Sequence, residues 1–320
     1  MPKANKVLII FDMNDEQKER LEAINQDAEY TYSTPDALTP DIINEYDIVL
    51  GSVGPKIIAD SKRLKWLQLG SAGSDSYQGL SCFSEGAILT NGSGAYGLTI
   101  SEHTIAMILM LKRKIHLHIR AQLENKWEKS PDAITSLYGS RVLVIGLGDL
   151  GTEFSKKAKA MGAYIIGISR TKKPKPEFVD EIYTADNIDN QLPLADVITL
   201  SLPNTDATKR IINRERIGML QKNAIIVNVG RGSAIDTEAL TEALASGSIE
   251  GAALDVTDPE PLPEDHKLWK LPNVIITPHV AGTHNLPETR RILIEIAIGN
   301  YDAYTNNKPM RNVVDFKRQY

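Results

Sequence analysis

Short apolar runs alternate with polar stretches of helical character in the first third of the chain. The runs occupy residues 7–11, 47–51, 66–69 and 87–90. Strands that alternate with helical segments are typical of a parallel sheet whose strands are joined by helical crossovers. The pattern therefore predicts an α/β domain in this part of the chain.

Between residue 100 and about residue 124 the apolar positions follow a helical spacing instead, which predicts one long helix. A second series of apolar runs then begins, and we interpret its members as strands. They occupy residues 141–145, 163–168, 196–202, 224–229, 251–256 and 274–277. Six successive strands are what a complete dinucleotide-binding sheet requires, so this part predicts a Rossmann-like domain.

Residues 286–304 return to a helical pattern after the last predicted strand, through the spacing of Ile292, Leu293, Ile296 and Tyr301. Because this helix is left over once the second sheet is complete, we expect it to return to the first domain. A chain of 320 residues also exceeds what one hydrophobic core usually supports. We therefore predict a smaller, discontinuous domain of residues 1–101 plus 288–320, and an inserted cofactor domain of residues 102–287.

A glycine-rich turn follows the predicted strand 141–145 and opens the helical stretch 152–161. It contains Gly146, Gly148, Asp149, Leu150 and Gly151 in the pattern GxGxxG. In such a turn the first glycine allows the tight bend, the second lets the backbone approach a pyrophosphate, and the third allows close packing of helix on strand. Strand, turn and helix stand in the required order, so the motif predicts dinucleotide binding and not merely a flexible turn.

The end of the next predicted strand indicates which dinucleotide is bound. An NAD site normally offers an acid there, whereas this chain has Ser169, Arg170 and Thr171, followed by two lysines. A guanidinium group pairs with a phosphate through two parallel hydrogen bonds. We therefore predict a preference for NADP(H), with NAD(H) possible and a solvated basic loop as the alternative interpretation.

Three later strands are each followed by a polar residue in a glycine- or proline-rich setting. Arg231 follows residues 224–229, Asp255 lies at the end of the next predicted strand with Glu260 just beyond it, and His279 follows the last. Because ligands bind at the carboxyl ends of parallel strands, these side chains could converge. Arg231 can hold a carboxylate and polarise a 2-oxo group, His279 can donate a proton, and Glu260 can orient the imidazole. Each residue alone has an ordinary structural interpretation, but their joint appearance after a dinucleotide turn predicts catalysis.

Composition and charge limit the remaining classes. The net charge is -5 and the basic runs are short, which argues against nucleic acid as a partner. The single cysteine, Cys82, excludes a disulfide framework and a cysteine-based zinc cluster. No metal is expected. No run approaches the length of about 18 apolar residues that a membrane span needs, and no signal peptide is apparent. We therefore expect a cytoplasmic protein.

With these motifs taken together, the sequence resembles the D-isomer-specific 2-hydroxyacid dehydrogenase family over nearly its whole length. The resemblance implies a flavodoxin-like smaller domain, a homodimer, and hydride transfer between a nicotinamide cofactor and a small 2-oxo or 2-hydroxy acid. It implies that Arg231, Glu260 and His279 are the catalytic residues, and that Asp255 accepts a hydrogen bond from the nicotinamide amide.

The resemblance also supplies contacts that the patterns do not. For the substrate it implies Arg231 and His279 together with Val53, Ser71, Ala72 and Gly73. For the cofactor it implies, besides the residues of the glycine turn and residues 169–171, a set spread along the second domain. That set is Thr104, Leu202, Pro203, Thr208, Val229, Gly230, Arg231, Asp255, His279, Ala281 and Gly282.

Two alternatives stay open at this point. Phosphoglycerate dehydrogenases belong to the same family, but Ser52, Val53 and the Ser71–Ala72 region carry no cation for a phosphate ester, so glyoxylate or hydroxypyruvate is the preferred substrate. The family's fold also serves as a non-catalytic, NAD(H)-sensing corepressor, and the catalytic residues alone do not exclude that role. The absence of basic recruitment tails argues against it. Residues 100–139 are expected to form the assembly surface of a homodimer.

Overall fold

The computed structural model describes residues 5–129, 133–283 and 285–319, which form two compact units. Unit 1 comprises Met1–Tyr96 and His284–Tyr320, and unit 2 comprises Gly97–Thr283. The units are defined by their internal contacts, so the assignment of a substrate domain and a cofactor domain stays a prediction. The predicted α/β class is confirmed, because each unit contains a parallel sheet flanked by helices.

Unit 1 contains a five-stranded parallel sheet in the order β2-β1-β3-β4-β5. Its strands are β1 (Lys6–Ile9), β2 (Glu29–Tyr32), β3 (Ile48–Leu50), β4 (Trp66–Gln68) and β5 (Ile88–Thr90). The sequence patterns predicted four of these strands and missed β2. That strand lies at the edge of the sheet and its residues are polar or partly exposed, so it has no apolar run to reveal it.

The helices of unit 1 bury apolar residues against both faces of this sheet. They are α1 (Asp15–Glu22), α2 (Pro40–Ile43), α3 (Pro55–Ile58), α4 (Ser81–Ser84) and α11 (Pro287–Thr305), numbered along the whole chain. The carboxy-terminal helix α11 places Ile294, Ile298 and Tyr301 in a cluster with the side chains of β1 and β3. Trp66 stacks on Tyr304, with ring centroids 5.2 Å apart.

Unit 2 contains a seven-stranded parallel sheet in the order β12-β11-β10-β9-β6-β7-β8. The strands are β6 (Arg141–Ile145), β7 (Tyr164–Ser169), β8 (Glu181–Thr184), β9 (Val197–Leu200), β10 (Ile225–Asn228), β11 (Gly251–Leu254) and β12 (Val274–Ile276). The expectation of six strands is wrong by one, because β8 is a half-exposed edge strand. The strand order reverses between β6 and β9, which is where doubly wound sheets bind ligands.

The helices of unit 2 are α5 (Gly97–Lys112), α6 (Ile115–Leu123), α7 (Asp149–Ala160), α8 (Ile188–Gln191), α9 (Arg214–Gly218) and α10 (Thr237–Ser246). The single helix predicted from residue 100 is wrong, since Lys114 adopts φ +56° and separates α5 from α6. Two contacts stabilise the break: Lys114 pairs with Glu250 at 2.8 Å, and a ring nitrogen of His116 lies 2.9 Å from the carbonyl oxygen of Met110. Within the described ranges, no helix combines the length and apolar character that crossing a membrane demands.

Candidate active site and dinucleotide turn

The glycine turn of unit 2 connects β6 to α7 at the reversal of strand order. Gly146 has φ +104°, and a β-carbon on Gly151 would lie 2.0 Å from the carbonyl oxygen of Gly146. Both glycines are therefore required by the backbone itself. A β-carbon on Gly148 would meet nothing within 4 Å, so this glycine leaves an open approach to the amino terminus of α7. Helix amino termini attract phosphate groups, and this cradle fits a pyrophosphate.

The segment after β9 packs against the glycine turn, and the segment after β10 packs against the segment after β9. Ser201 donates a hydrogen bond from Oγ to the carbonyl oxygen of Gly146, at 2.9 Å. A β-carbon on Gly230 would lie 2.6 Å from the backbone nitrogen of Leu202, so only glycine fits there. Thr208 closes the following loop by donating to the carbonyl oxygen of Pro203, at 2.6 Å. The structure thus brings several predicted cofactor residues to one edge of the sheet.

The segment after β7 is basic and largely exposed. Ser169 is buried and donates to the carbonyl oxygen of Thr171, whereas the side chains of Arg170 and Thr171 are exposed. Lys173, which is not among the predicted cofactor residues, donates from Nζ to the carbonyl oxygen of Leu147 at 2.6 Å. The basic segment therefore folds back onto the glycine turn.

The predicted proton donor and its orienting acid are in contact. His279 Nδ1 donates to Glu260 Oε1 at 2.6 Å, and each side chain is about half exposed, 49% for His279 and 42% for Glu260. His279 adopts φ +54°, a left-handed conformation that residues other than glycine seldom adopt. Its backbone nitrogen donates to the carbonyl oxygens of Asp255, at 2.8 Å, and Thr277, at 3.0 Å. The imidazole is therefore presented to solvent from a constrained turn.

Asp255 organises the backbone around His279. Its buried carboxylate accepts hydrogen bonds from Thr277 Oγ1 at 2.6 Å, from the nitrogen of Val280 at 2.9 Å and from the nitrogen of Ala281 at 3.0 Å. On α5, His103 Nε2 lies 3.1 Å from Thr277 Oγ1. Sequence patterns gave no role to Thr277 or His103. The predicted contact of Asp255 with the nicotinamide amide stays a prediction.

Arg231 lies in a turn that Asn228 stabilises. Asn228 Nδ2 donates to the carbonyl oxygen of Arg231 at 2.9 Å, and its Oδ1 accepts from the nitrogen of Gly230 at 3.1 Å. The next residue, Gly232, must be glycine, because a β-carbon would lie 1.9 Å from the carbonyl oxygen of Thr257. The Arg231 turn thus packs against the segment that leads to Glu260. The position of Asn228 inside an apolar strand was the signal that could have identified it.

In unit 1, the loop of Gly70, Ser71, Ala72 and Gly73 follows β4. The carbonyl oxygen of Gly70 accepts from the hydroxyl of Tyr96, and that of Ser71 accepts from the nitrogen of Gly92 at 2.7 Å. Among the described residues, the backbone N–H groups of Ser71, Ala72 and Gly73 donate to no protein acceptor. Such a row of amides suits an anion.

Val53 differs from the other predicted substrate residues. Its side chain is 2% exposed and lies in the hydrophobic core of unit 1, and its carbonyl oxygen accepts from the hydroxyl of Tyr77 at 2.7 Å. In the part of the chain that the structure describes, no group of three or more His, Cys, Asp or Glu side chains is arranged to hold a metal ion.

Comparison with known proteins adds family information to this geometry. Residues 105–281 match the model of the D-isomer specific 2-hydroxyacid dehydrogenase, NAD binding domain. A hydroxypyruvate reductase of Thermotoga maritima is 33% identical over 80% of this chain and 84% of its own length. A D-3-phosphoglycerate dehydrogenase of Methanocaldococcus jannaschii is 34% identical over 86% of this chain, which spans 53% of that protein.

A solved structure extends the comparison to the cofactor. It is that of the NADPH-dependent glyoxylate/hydroxypyruvate reductase of Sinorhizobium meliloti in complex with NADP and sulfate. The similarity has a TM-score of 0.79 at 25% identity and covers 99% of this chain and 100% of that one.

Proposed function

Because the chain belongs to the D-isomer-specific 2-hydroxyacid dehydrogenase family, we propose that it reduces a small, unphosphorylated 2-oxo acid such as glyoxylate or hydroxypyruvate with NADPH. The family makes the protein an oxidoreductase that acts on the CH–OH group of 2-hydroxy acids. The 2.6 Å contact between His279 and Glu260 is the observation that carries the proposal, because it supplies an oriented proton donor.

In the proposed reaction, His279 donates its Nε2 proton to the oxygen of the 2-oxo group as C2 receives a hydride. The reaction consumes NADPH and one proton and yields NADP⁺ and the 2-hydroxy acid. When bound, the nicotinamide supplies that hydride. Glu260 keeps the imidazole in the tautomer and orientation that aim Nε2 outward, since Nδ1 is engaged. Arg231 is assigned to the substrate's carboxylate and to polarising the carbonyl group.

The proposed preference for NADP(H) rests on the segment after β7. None of residues 169–173 is acidic, Arg170 is exposed, and Lys173 contacts the glycine turn. These are the groups that recognise a 2'-phosphate, whereas a ribose hydroxyl would call for an acid. The Sinorhizobium meliloti reductase, whose solved structure contains NADP, agrees with this assignment.

The proposed substrate class rests on the loop of residues 70–73. Its three amides offer hydrogen bonds to a carboxylate, and neither this loop nor residues 52–54 contain a cation that would bind a phosphate ester. The similarity to a phosphoglycerate dehydrogenase covers about half of that protein, and the loop's composition favours the unphosphorylated acids over its substrate.

We also propose that the protein is a cytoplasmic homodimer. On α6, Ile115, Ile119 and Leu123 recur every four residues and remain 42–80% exposed, and Trp127 beyond the helix is fully exposed. An apolar stripe of this kind is typical of a protein interface. Residues 130–132, which belong to the predicted assembly surface, lie outside the described residues.

Steady-state oxidation of NADPH with a panel of 2-oxo acids tests the proposed activity. We expect turnover with glyoxylate or hydroxypyruvate, weaker turnover with NADH, and little with the phosphorylated acid 3-phosphohydroxypyruvate. If no acid in the panel raises NADPH oxidation above background while NADPH still binds, the reductase assignment is wrong and a nucleotide-binding module is favoured.

A further inference from the structure

A buried network of polar side chains in unit 1 contacts the backbone next to the loop of residues 70–73. Its central members are Gln68 and Thr90, both 0% exposed, and Asn300, 1% exposed. Gln68 ends β4, Thr90 ends β5, and Asn300 lies in α11. Burying polar groups costs free energy unless they are hydrogen-bonded. The presence of polar side chains at this depth therefore has to be explained by the hydrogen bonds they make.

Both polar atoms of the Gln68 amide make two hydrogen bonds. Oε1 accepts from Thr90 Oγ1 at 2.7 Å and from Asn300 Nδ2 at 2.8 Å. Nε2 donates to the carbonyl oxygens of Leu69, at 2.9 Å, and Asn91, at 3.2 Å. The side chain therefore ties together the ends of two neighbouring strands and the carboxy-terminal helix.

The network reaches the loop through residues next to it in sequence. Leu69, whose carbonyl Gln68 holds, directly precedes Gly70. Asn91, whose carbonyl Gln68 also holds, directly precedes Gly92, and the nitrogen of Gly92 donates to the carbonyl oxygen of Ser71 at 2.7 Å. Together with the hydroxyl of Tyr96 on the carbonyl oxygen of Gly70, these bonds turn the loop's carbonyls toward protein.

The segment after α11 closes the network from the other side. Asn300 Oδ1 accepts from the nitrogen of Arg311 at 2.7 Å, and its Nδ2 donates to the carbonyl oxygen of the same residue at 3.0 Å. Asn312 Nδ2 donates to the carbonyl oxygens of Asn91 and Ser93, at 3.1 and 2.7 Å. The backbone on both sides of Gly92 is thus fixed by side-chain amides.

We propose that Gln68 and Asn300 are positioning residues that fix the loop of residues 70–73, so that its amides are already aligned for the substrate's carboxylate. This inference rests on the proposed function, because it assigns the carboxylate to those amides. Neither side chain touches the substrate, and both act through the backbone of Leu69, Asn91 and Gly92. Preorganised donors avoid the free-energy cost of ordering the loop at each binding event.

Kinetics of Gln68→Met test this role. Methionine is close to glutamine in size but makes none of the four hydrogen bonds, so we expect the KM for glyoxylate to rise about tenfold, with kcat and the Kd for NADPH within about twofold of wild type. A change in KM alone is the signature of lost substrate binding. Asn300→Asp, which keeps the acceptor for Arg311 but loses the donors to Gln68 and to the Arg311 carbonyl, should change KM in the same direction and serves if Gln68→Met fails to fold.

Thr289→Val is the matched control. Thr289 lies on the same helix as Asn300 and is 0% exposed, but among the described residues its Oγ1 has no hydrogen-bond partner. The valine variant should therefore leave KM, kcat and the melting temperature unchanged. A KM for glyoxylate in folded Gln68→Met and Asn300→Asp equal to that of wild type would overturn the positioning role.

Binding of oxalate separates this inference from the proposed activity. Oxalate is a carboxylate analogue of glyoxylate that cannot be reduced, and its Kd on the NADPH-loaded protein is measurable by calorimetry without turnover. If wild type binds oxalate about tenfold more tightly than Gln68→Met but reduces no 2-oxo acid, the proposed reaction fails and the positioning role stands. Equal affinities, or no binding of oxalate to wild type, overturn the positioning role.

Discussion

At the scale of single residues, His279 combines an exposed imidazole with a backbone held in the left-handed region. Asparagine tolerates that conformation better than most residues, so His279→Asn removes the proposed proton donor with little strain. We expect kcat to fall by roughly 10²–10⁴-fold, the usual contribution of a general acid, with the Kd for NADPH nearly unchanged. Steady-state kinetics and a fluorescence titration measure both quantities.

Glu260→Gln provides the graded comparison for that experiment. It should lower kcat less than His279→Asn does, because the imidazole loses its charged partner but keeps its own proton-donating atom. Turnover of His279→Asn within about tenfold of wild type would contradict the role of His279 as general acid.

Arg170 tests the assigned cofactor preference. Arg170→Asp should raise the Kd for NADPH by about 10–100-fold, the value of a charge-assisted hydrogen bond of about 1.5–3 kcal/mol, while leaving NADH binding similar or tighter. Lys222→Asp makes the same change of charge at an exposed residue before β10 and should alter neither affinity. A parallel loss of both cofactors in Arg170→Asp would be inconsistent with recognition of a 2'-phosphate.

Asp47 illustrates how a buried charge couples the stability of unit 1 to pH. Burial alone would raise the pKa of its carboxyl group, but hydrogen bonds from the nitrogen of Lys6 and from Arg63 and Lys65 outweigh burial and lower it. A lowered folded-state pKa contributes stability above the unfolded-state value of about 3.9, and this contribution is lost as the pH falls through the folded-state pKa.

We therefore expect Asp47→Asn to lower the free energy of unfolding by about 2 kcal/mol at pH 7, and by much less at pH 3. Urea unfolding at the two pH values measures the difference. Asp41→Asn, at an exposed position in α2, should change stability little at either pH. A deficit for Asp47→Asn that is the same at both pH values would show that its charge is not responsible.

At the scale of elements, we expect two glycines of the glycine turn to have different roles, Gly151 in folding and Gly148 in cofactor binding. Gly151→Ala places a β-carbon against the carbonyl oxygen of Gly146, so it should destabilise the protein by about 1–3 kcal/mol or more. Gly148→Ala meets no atom within 4 Å and should fold normally. It should nevertheless weaken cofactor binding, because the methyl group occupies the approach of the phosphates. Thermal unfolding and NADPH titration of both variants check this contrast, and normal NADPH affinity in Gly148→Ala would refute it.

Elements with strong apolar periodicity could be predicted from the sequence, and those fixed by long-range contacts could not. Central strands such as β6 and β10 consist of consecutive apolar residues and were found directly. The edge strands β2 and β8 have one neighbour and mixed polarity, so no run marks them. The end of α5 depends on Glu250, more than a hundred residues away, which a local pattern does not contain.

For the candidate site, too, some residues could be predicted from the sequence and others could not. The types and order of Arg231, Glu260 and His279 led to the proposed chemistry, since each follows a strand of a parallel sheet. The supporting residues were harder to find, because Asn228 acts through the backbone of Arg231 and Thr277 through the carboxylate of Asp255. In unit 1, Gln68 acts through the backbone next to the loop of residues 70–73. Such positioning depends on the register of the strands and on how deeply a residue is buried in the sheet. Neither property can be predicted from the residue type alone.

At the scale of the whole molecule, the exposed apolar stripe on α6 predicts the state of association. We expect wild type to sediment as a dimer of 35.3 kDa chains. The double variant Ile119→Lys, Leu123→Lys should be monomeric. Dimer formation would remove the two lysine charges from water, and this desolvation costs free energy. Leu194→Lys, at a comparably exposed leucine outside α6, should leave the dimer intact. A wild-type protein that sediments as a monomer at micromolar concentration would contradict the assignment.

Because unit 1 is formed by both ends of the chain, it can be completed only late in biosynthesis. Strands β1 to β5 emerge from the ribosome early, but Asn300 and Asn312, which complete the bonds around Gln68 and Asn91, are translated only after all of unit 2. A nascent chain that stops before α11 therefore has a finished glycine turn in unit 2, but the loop of residues 70–73 in unit 1 is not yet fixed. Dinucleotide affinity should consequently appear during synthesis before affinity for the acid does.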